Sequence, residues 1–159
     1  MKPVKVSITV PQRREDVFEF IDVLANHEGF TDHFLVDWTV SGPAAGVGAA
    51  ARMRVKRPGP VDWLDMTVTA SDAPRSTTEE SISAKGRRRT RGTYVLDELP
   101  DGGTRISFEL TWLDAPTSER LIAPVTRSVV GRNNARSLRR LAEALTARDG
   151  SGSAPAGQG

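Results

Sequence analysis

Residues 92–110, GTYVLDELPDGGTRISFEL, decide how this chain is read. After Pro100-Asp101-Gly102-Gly103, the residues Ile106, Phe108, Leu110 and Trp112 alternate with Arg105, Ser107, Glu109 and Thr111. That is the period of a strand with one buried face. Asp-Gly between two such runs signals a hairpin, so strands are predicted over 87–99 and 104–113. Upstream, the segments 35–41, 49–57, 61–70 and 75–84 read the same way. Ala51, Met53 and Val55 alternate with Arg52, Arg54 and Lys56, and Leu64, Met66 and Val68 alternate with Asp65, Thr67 and Thr69. Turns separate them at 42–48 (GPAAGVG), Pro58-Gly59-Pro60 and Lys85-Gly86. A further strand, 4–10, ends at Pro11.

Helical spacing occurs twice. Over 13–26, Val17, Ile21, Leu24 and Ala25 make one apolar stripe, followed by a break and a short turn in 27–34. Over 118–147, Val130, Asn134, Leu138, Leu141 and Leu145 share a face, with Leu121 and Val125 continuing it and Pro124 kinking its start or sitting in its first turn. One-sided strands need a cover. The expected fold class is therefore α+β: seven antiparallel strands, two short helices after the first strand, and a long C-terminal helix over the sheet. The expected domain is 1–147. Residues 148–159, rich in Gly, Ser, Ala and Pro, are expected to be a disordered tail.

Composition excludes several classes. The chain has 159 residues, no Cys and only His27 and His33, which removes disulfides, thiol catalysis and a Cys- or His-rich metal site. No metal or cofactor is expected. No stretch is long and apolar enough for a membrane span and no export signal is visible, so a cytoplasmic location is expected. The charges nearly balance, with 22 Lys and Arg against 20 Asp and Glu. Five of the seven residues Lys85–Arg91 are cationic, but no aromatic platform interleaves with them and a nucleic-acid partner is not favoured.

The order of elements resembles the SRPBCC superfamily (START-like, helix-grip, including polyketide cyclase-like proteins). The resemblance is carried by 6–21 (VSITVPQRREDVFEFI), 40–55 (VSGPAAGVGAAARMRV), 92–110 and 135–145 (ARSLRRLAEAL). It implies a curved sheet gripping the last helix, a hydrophobic cavity between them, and binding, carriage or cyclisation of apolar small molecules. Many members carry Trp-Pro before the second strand. Here that place reads Thr31-Asp32-His33-Phe34, so either Phe34 replaces the aromatic or the cavity mouth is built differently.

Alternation nominates the cavity wall: Val36, Trp38, Met53, Met66, Val68, Phe108, Leu110 and Trp112 from strands, with Val130, Asn134 and Leu138 from the helix, and Phe34 at the mouth. Asn134 stands out, since a buried amide needs partners. Hairpin parity leaves two alternatives. Two-residue turns put Glu80 opposite Arg91 and both inside the cavity; a three-residue loop at Asp101–Gly103 turns Tyr94 and Leu96 inward and Arg91 out. His33 is an acid/base candidate by type alone, and His27 a weaker one.

The leading functional expectation is binding or carriage of a lipophilic molecule by a monomer or homodimer. The first alternative is a cyclase, aromatase or dehydratase, and the second is nucleic-acid or acidic-partner binding through Lys85–Arg91.

Overall fold

Seven strands form one antiparallel sheet in the computed structural model, which describes residues 1–152. They are β1 (Val4–Val10), β2 (Leu35–Ser41), β3 (Ala50–Val55), β4 (Asp62–Asp72), β5 (Ser76–Ser83), β6 (Arg88–Glu98) and β7 (Thr104–Asp114). The spatial order is β1-β7-β6-β5-β4-β3-β2. Strands β2 to β7 are thus a meander of hairpins, and β1 adds to its last strand. Helix α1 (Arg14–Asp22), a 3₁₀ turn (Leu24–His27) and α2 (Glu28–Thr31) join β1 to β2, and α3 (Thr117–Leu121) and α4 (Ala123–Gly152) follow β7. The expected α+β architecture is the one observed. No helix among the described residues is long and apolar enough to cross a membrane.

Three expected boundaries shift. The helix predicted over 13–26 stops at Asp22 because Val23 is extended (φ −87°, ψ 104°) and bridges to Ala45. The C-terminal helix is divided at Ile122 (φ −112°, ψ 31°). Pro124 then falls in the first turn of α4, where its missing N–H leaves no helical bond unmade. Helix α4 also continues to Gly152, so residues 148–152 of the expected tail are helical; the rest of that segment lies outside the described residues.

Register follows from one turn. The Leu99 N–H donates to the Gly103 carbonyl (2.9 Å) and the Gly102 N–H to the Leu99 carbonyl (2.9 Å), so the hairpin loop is Pro100–Gly102. Gly102 has φ +86°, the left-handed position that a three-residue hairpin loop requires. Pairing then runs Glu98↔Thr104, Tyr94↔Phe108 and Thr90↔Trp112. Tyr94 and Leu96 face inward, as the three-residue alternative implied, although the loop lies one residue earlier.

Two clusters make the core. Val17, Phe18, Ile21, Phe30, Ile106, Leu138, Leu141 and Leu145 join α1, α2 and α4 to β7, while Leu24, Leu35, Ala51, Met53, Met66 and Val68 fill the β2–β4 side. Leu121 and Val125 do not continue the core stripe. They are 80% and 59% exposed, and Val125 borders an open space beside the sheet instead of packing into the core. Val36 leaves the inner wall as well: an irregularity between Val36 and Thr39, with Asp37 at φ +57°, sets Val36 opposite the outward Arg54 and restores Trp38 to the inner side.

Ile106 is fully buried on β7 within the larger cluster. Truncation to Ala is expected to lower unfolding free energy by about 2–5 kcal/mol, read by urea denaturation. Truncating the exposed Leu121 is expected to change it by less than about 0.5 kcal/mol.

Candidate functional site

Between the inner face of the sheet and α4 lie two adjoining spaces. An inner chamber of about 90 Å³ is lined by Trp38, Met66, Glu79, Tyr94, Phe108 and Leu138, among others. A vestibule of about 400 Å³ is lined largely by apolar residues, including Trp112, Ile122, Val125, Val129 and Val130. Phe34, Leu35, Leu64, Thr90, Leu110 and Asn134 line both and form the waist between them.

The chamber is polar at its floor because β5 turns a polar face inward. Thr77, Glu79, Ser81 and Ser83 of this strand are all buried. Glu79 is cross-strand from Gly92. A Cβ at Gly92 would stand 2.7 Å from Phe108 Cζ and 3.2 Å from Glu79 Oε1, so only glycine leaves room for both groups. His27 approaches from the 3₁₀ turn. Its Nε2–H donates to the Ile21 carbonyl (2.7 Å), which leaves Nδ1 bare, 3.9 Å from Glu79 Oε2. The His27 ring stands edge-on to Tyr94 with centroids 5.8 Å apart.

Burial disfavours charge on each of these groups. It raises the Glu79 pKa to about 8. It lowers that of His27 to about 4, against the opposing pull of the Ile21 hydrogen bond. It drives Tyr94 well above its usual value, helped by the Glu79 charge. At neutral pH the chamber therefore holds a neutral acid, a neutral imidazole and a neutral phenol. The Glu79 carboxyl and the Tyr94 phenol have no hydrogen-bond partner among the described residues, and Asn134 Nδ2 is buried with no acceptor.

The vestibule rim carries a different arrangement. Arg88 Nε donates to Glu119 Oε2 (3.0 Å), its Nη2 contacts Glu119 Oε1, and its Nη1 reaches Asp62 Oδ2 (2.9 Å) and Ser83 Oγ (2.8 Å). Asp62 also accepts from the Ala84 N–H (2.8 Å). Burial pushes Asp62 up, but Arg88 and the Ala84 amide outweigh it and its pKa falls. The cluster ties the short α3 to the ends of β4, β5 and β6.

No protein-family model and no curated protein matches the sequence. Solved structures do match. TTHA0849 from Thermus thermophilus superposes with a TM-score of 0.73 at 19% identity, over 92% of this chain and 99% of that one. Zhui aromatase/cyclase from Streptomyces sp. R1128 gives 0.67 at 17% identity, over 92% and 94%. Ara h 8.0201 gives 0.58 at 14% identity, over 88% and 97%. This chain has the helix-grip fold.

In this helix-grip fold, most of the wall nominated from sequence does line the two spaces. Trp38, Met66, Phe108 and Leu138 face the chamber; Trp112 and Val130 face the vestibule; Phe34, Leu110 and Asn134 stand at the waist. Met53 does not line either space and fills core. Glu80 and Arg91 do pair, Arg91 Nη2 to Glu80 Oε1 at 2.7 Å, but on the outer face. The loop Pro100–Gly102 reverses the parity that would have put them inside. His33 bolts α2 to the grip helix instead of facing the cavity: its Nε2–H donates to the Asn133 carbonyl (3.0 Å) and its Nδ1 accepts from Arg140 (3.0 Å). Glu79 was missed by the sequence reading. It sits beside Glu80 in a polar strand, STTEESIS, where alternation gives no apolar side to choose by.

The two perturbed groups predict a pH dependence. The folded pKa of Glu79 lies above the unfolded one, so its contribution is full below about 4.5 and declines as pH rises to about 8. The folded pKa of His27 lies below, so its contribution is full above about 6.5 and declines as pH falls to about 4. Between these limits the two slopes oppose each other. From pH 6.5 to 8, at about 1.4 kcal/mol per pH unit, Glu79 alone is expected to cost about 2 kcal/mol. Glu79→Gln is expected to abolish this alkaline decline in denaturation midpoints measured at pH 6.5 and 8.5; an unchanged decline would assign it to another group.

Proposed function

We propose that this protein binds a lipophilic small molecule between the sheet and α4, with the apolar body in the vestibule and one end in the inner chamber. The observation that carries this reading is the vestibule itself. It offers about 400 Å³ of largely apolar space continuing through a waist into a smaller polar chamber, and small-molecule sites share that character. The fold shared with Zhui aromatase/cyclase supports the same reading at the level of architecture.

A second reading, an enzyme of the cyclase, aromatase or dehydratase kind, is favoured by one observation. Glu79 and His27 are a buried titratable pair whose pKa values are pushed in opposite directions inside the cavity, as acid/base sites require. The basic run gains no comparable support: Arg88 is neutralised by Glu119 and Asp62, and Arg91 by Glu80.

Native mass spectrometry of freshly purified protein, followed by thermal-shift assays with fatty acids, isoprenoids and aromatic polyketides, tests the binding reading. A ligand at 100-fold its Kd is expected to stabilise by about 2.7 kcal/mol, a shift of roughly 5–10 °C. Leu110→Trp, which fills the waist, is expected to remove that shift while leaving the fold intact by circular dichroism. No retained compound and no shift across the panel would overturn the reading.

A further inference from the structure

The inner chamber holds more hydrogen-bond donors than it satisfies. With its proton in place, the Glu79 carboxyl is a donor with no hydrogen-bond partner among the described residues; His27 Nδ1 stands 3.9 Å away, outside hydrogen-bond reach. The Tyr94 hydroxyl has no partner among the described residues. Asn134 Nδ2, on a residue 6% exposed at the waist, is buried without an acceptor. A buried donor left unpaired costs about 1–3 kcal/mol. A ligand that brings an acceptor removes that cost, and a single carbonyl oxygen accepts two bonds.

The surroundings restrict the acceptor. His27 from the 3₁₀ turn and Tyr94 from β6 are the titratable groups facing Glu79. Across β4 the neighbours are Met66 and Val68, and α4 presents Asn134, Ser137 and Leu138. None of these carries a charge at neutral pH, so an anionic ligand end would meet no cation. An ammonium could meet an ionised Glu79, but it has no use for the Tyr94 and Asn134 donors.

We infer that the inner chamber is a carbonyl-recognition site, in which the Glu79 carboxyl and the Tyr94 hydroxyl hydrogen-bond the oxygen of a ketone at the leading end of an apolar ligand, with Asn134 Nδ2 a further donor at the waist. The inference rests on the ligand-binding reading above and adds the chemistry of the ligand's inner end. A carboxylic acid held neutral by its apolar setting is a known kind of hydrogen-bond donor to a carbonyl. Above the Glu79 pKa of about 8 the group becomes an acceptor only, and the site turns against the carbonyl.

Three naphthalenes of similar shape test this by calorimetry: 2-acetylnaphthalene, 2-isopropylnaphthalene and 1-(2-naphthyl)ethylamine. At pH 6.5 the ketone is expected to bind about tenfold more tightly than the hydrocarbon, equivalent to about 1.4 kcal/mol. That preference is expected to vanish by pH 9.5. Glu79→Gln, which donates at any pH, is expected to keep the preference at both pH values. Glu79→Leu is expected to lose it at both while still binding the hydrocarbon. Tyr94→Phe is expected to weaken ketone binding severalfold without moving the pH midpoint. Equal affinity for ketone and hydrocarbon, a preference retained in Glu79→Leu, or tightest binding of the amine would each overturn the carbonyl assignment alone. Failure of all three compounds to bind the wild-type chain would overturn this inference, and the ligand-binding reading with it where the lipophile panel above also gives no shift and no compound is retained.

Discussion

The three-residue loop Pro100–Gly102 governs what the cavity contains. Its Gly102 adopts φ +86°, and Gly103 packs so close to β1 that a Cβ there would stand 2.6 Å from the Val10 carbonyl oxygen. This loop pairs Tyr94 with Phe108. A slip of one residue would send every side chain of β6 to the opposite face. Strand β5 inherits the same setting through Glu79↔Gly92 and Glu80↔Arg91. Gly102 and Gly103, together with the Ala84–Arg87 turn that sets Glu79 opposite Gly92, thus decide that the acid inside the cavity is Glu79, and that Glu80 meets Arg91 in solvent.

The structure handles its buried charges in two ways. At the vestibule rim, Arg88 is enclosed by Glu119, Asp62 and Ser83, and the Asp62 carboxylate receives a backbone N–H as well. Those charges are compensated, and their role is to hold α3 across the ends of three strands. At the chamber floor no cation among the described residues stands beside Glu79, and the carboxyl answers burial by keeping its proton. The first arrangement is complete within the protein. The second leaves the Asn134 amide, the Tyr94 hydroxyl and the Glu79 carboxyl without acceptors among the described residues, and the proposed carbonyl site rests on that difference.

The strands were legible wherever one face is apolar and the other polar. Residues 104–113, 61–70 and 4–10 needed little more than a count of alternation, and β7, β4 and β1 lie within a residue or two of those limits. The cavity wall followed in large part from the same count, as Trp38, Met66, Phe108, Leu110 and Trp112 demonstrate. Strand β5 was legible as a strand but not as a surface with an inside, because STTEESIS carries polar residues on both sides. Val36 and Met53 were misplaced for separate reasons. A backbone irregularity at Asp37 changes the parity of β2, and Met53 is consumed by packing among Leu24, Leu35 and Ala51.

The amino-acid order by itself determined the elements, their antiparallel succession and the helix that covers them, since periodicity, Gly-Pro punctuation and the apolar stripe of 130–145 are local properties. Only the tertiary structure decided which of two adjacent glutamates is buried, that His27 faces the cavity while His33 joins α2 to the grip helix, and that Asn134 stands between two chambers. These outcomes depend on register and on the approach of elements distant in sequence: β2, β3 and β4 all lie between His27 and Glu79 along the chain. Burial, which sets the protonation of both, exists only once the sheet has closed over α4.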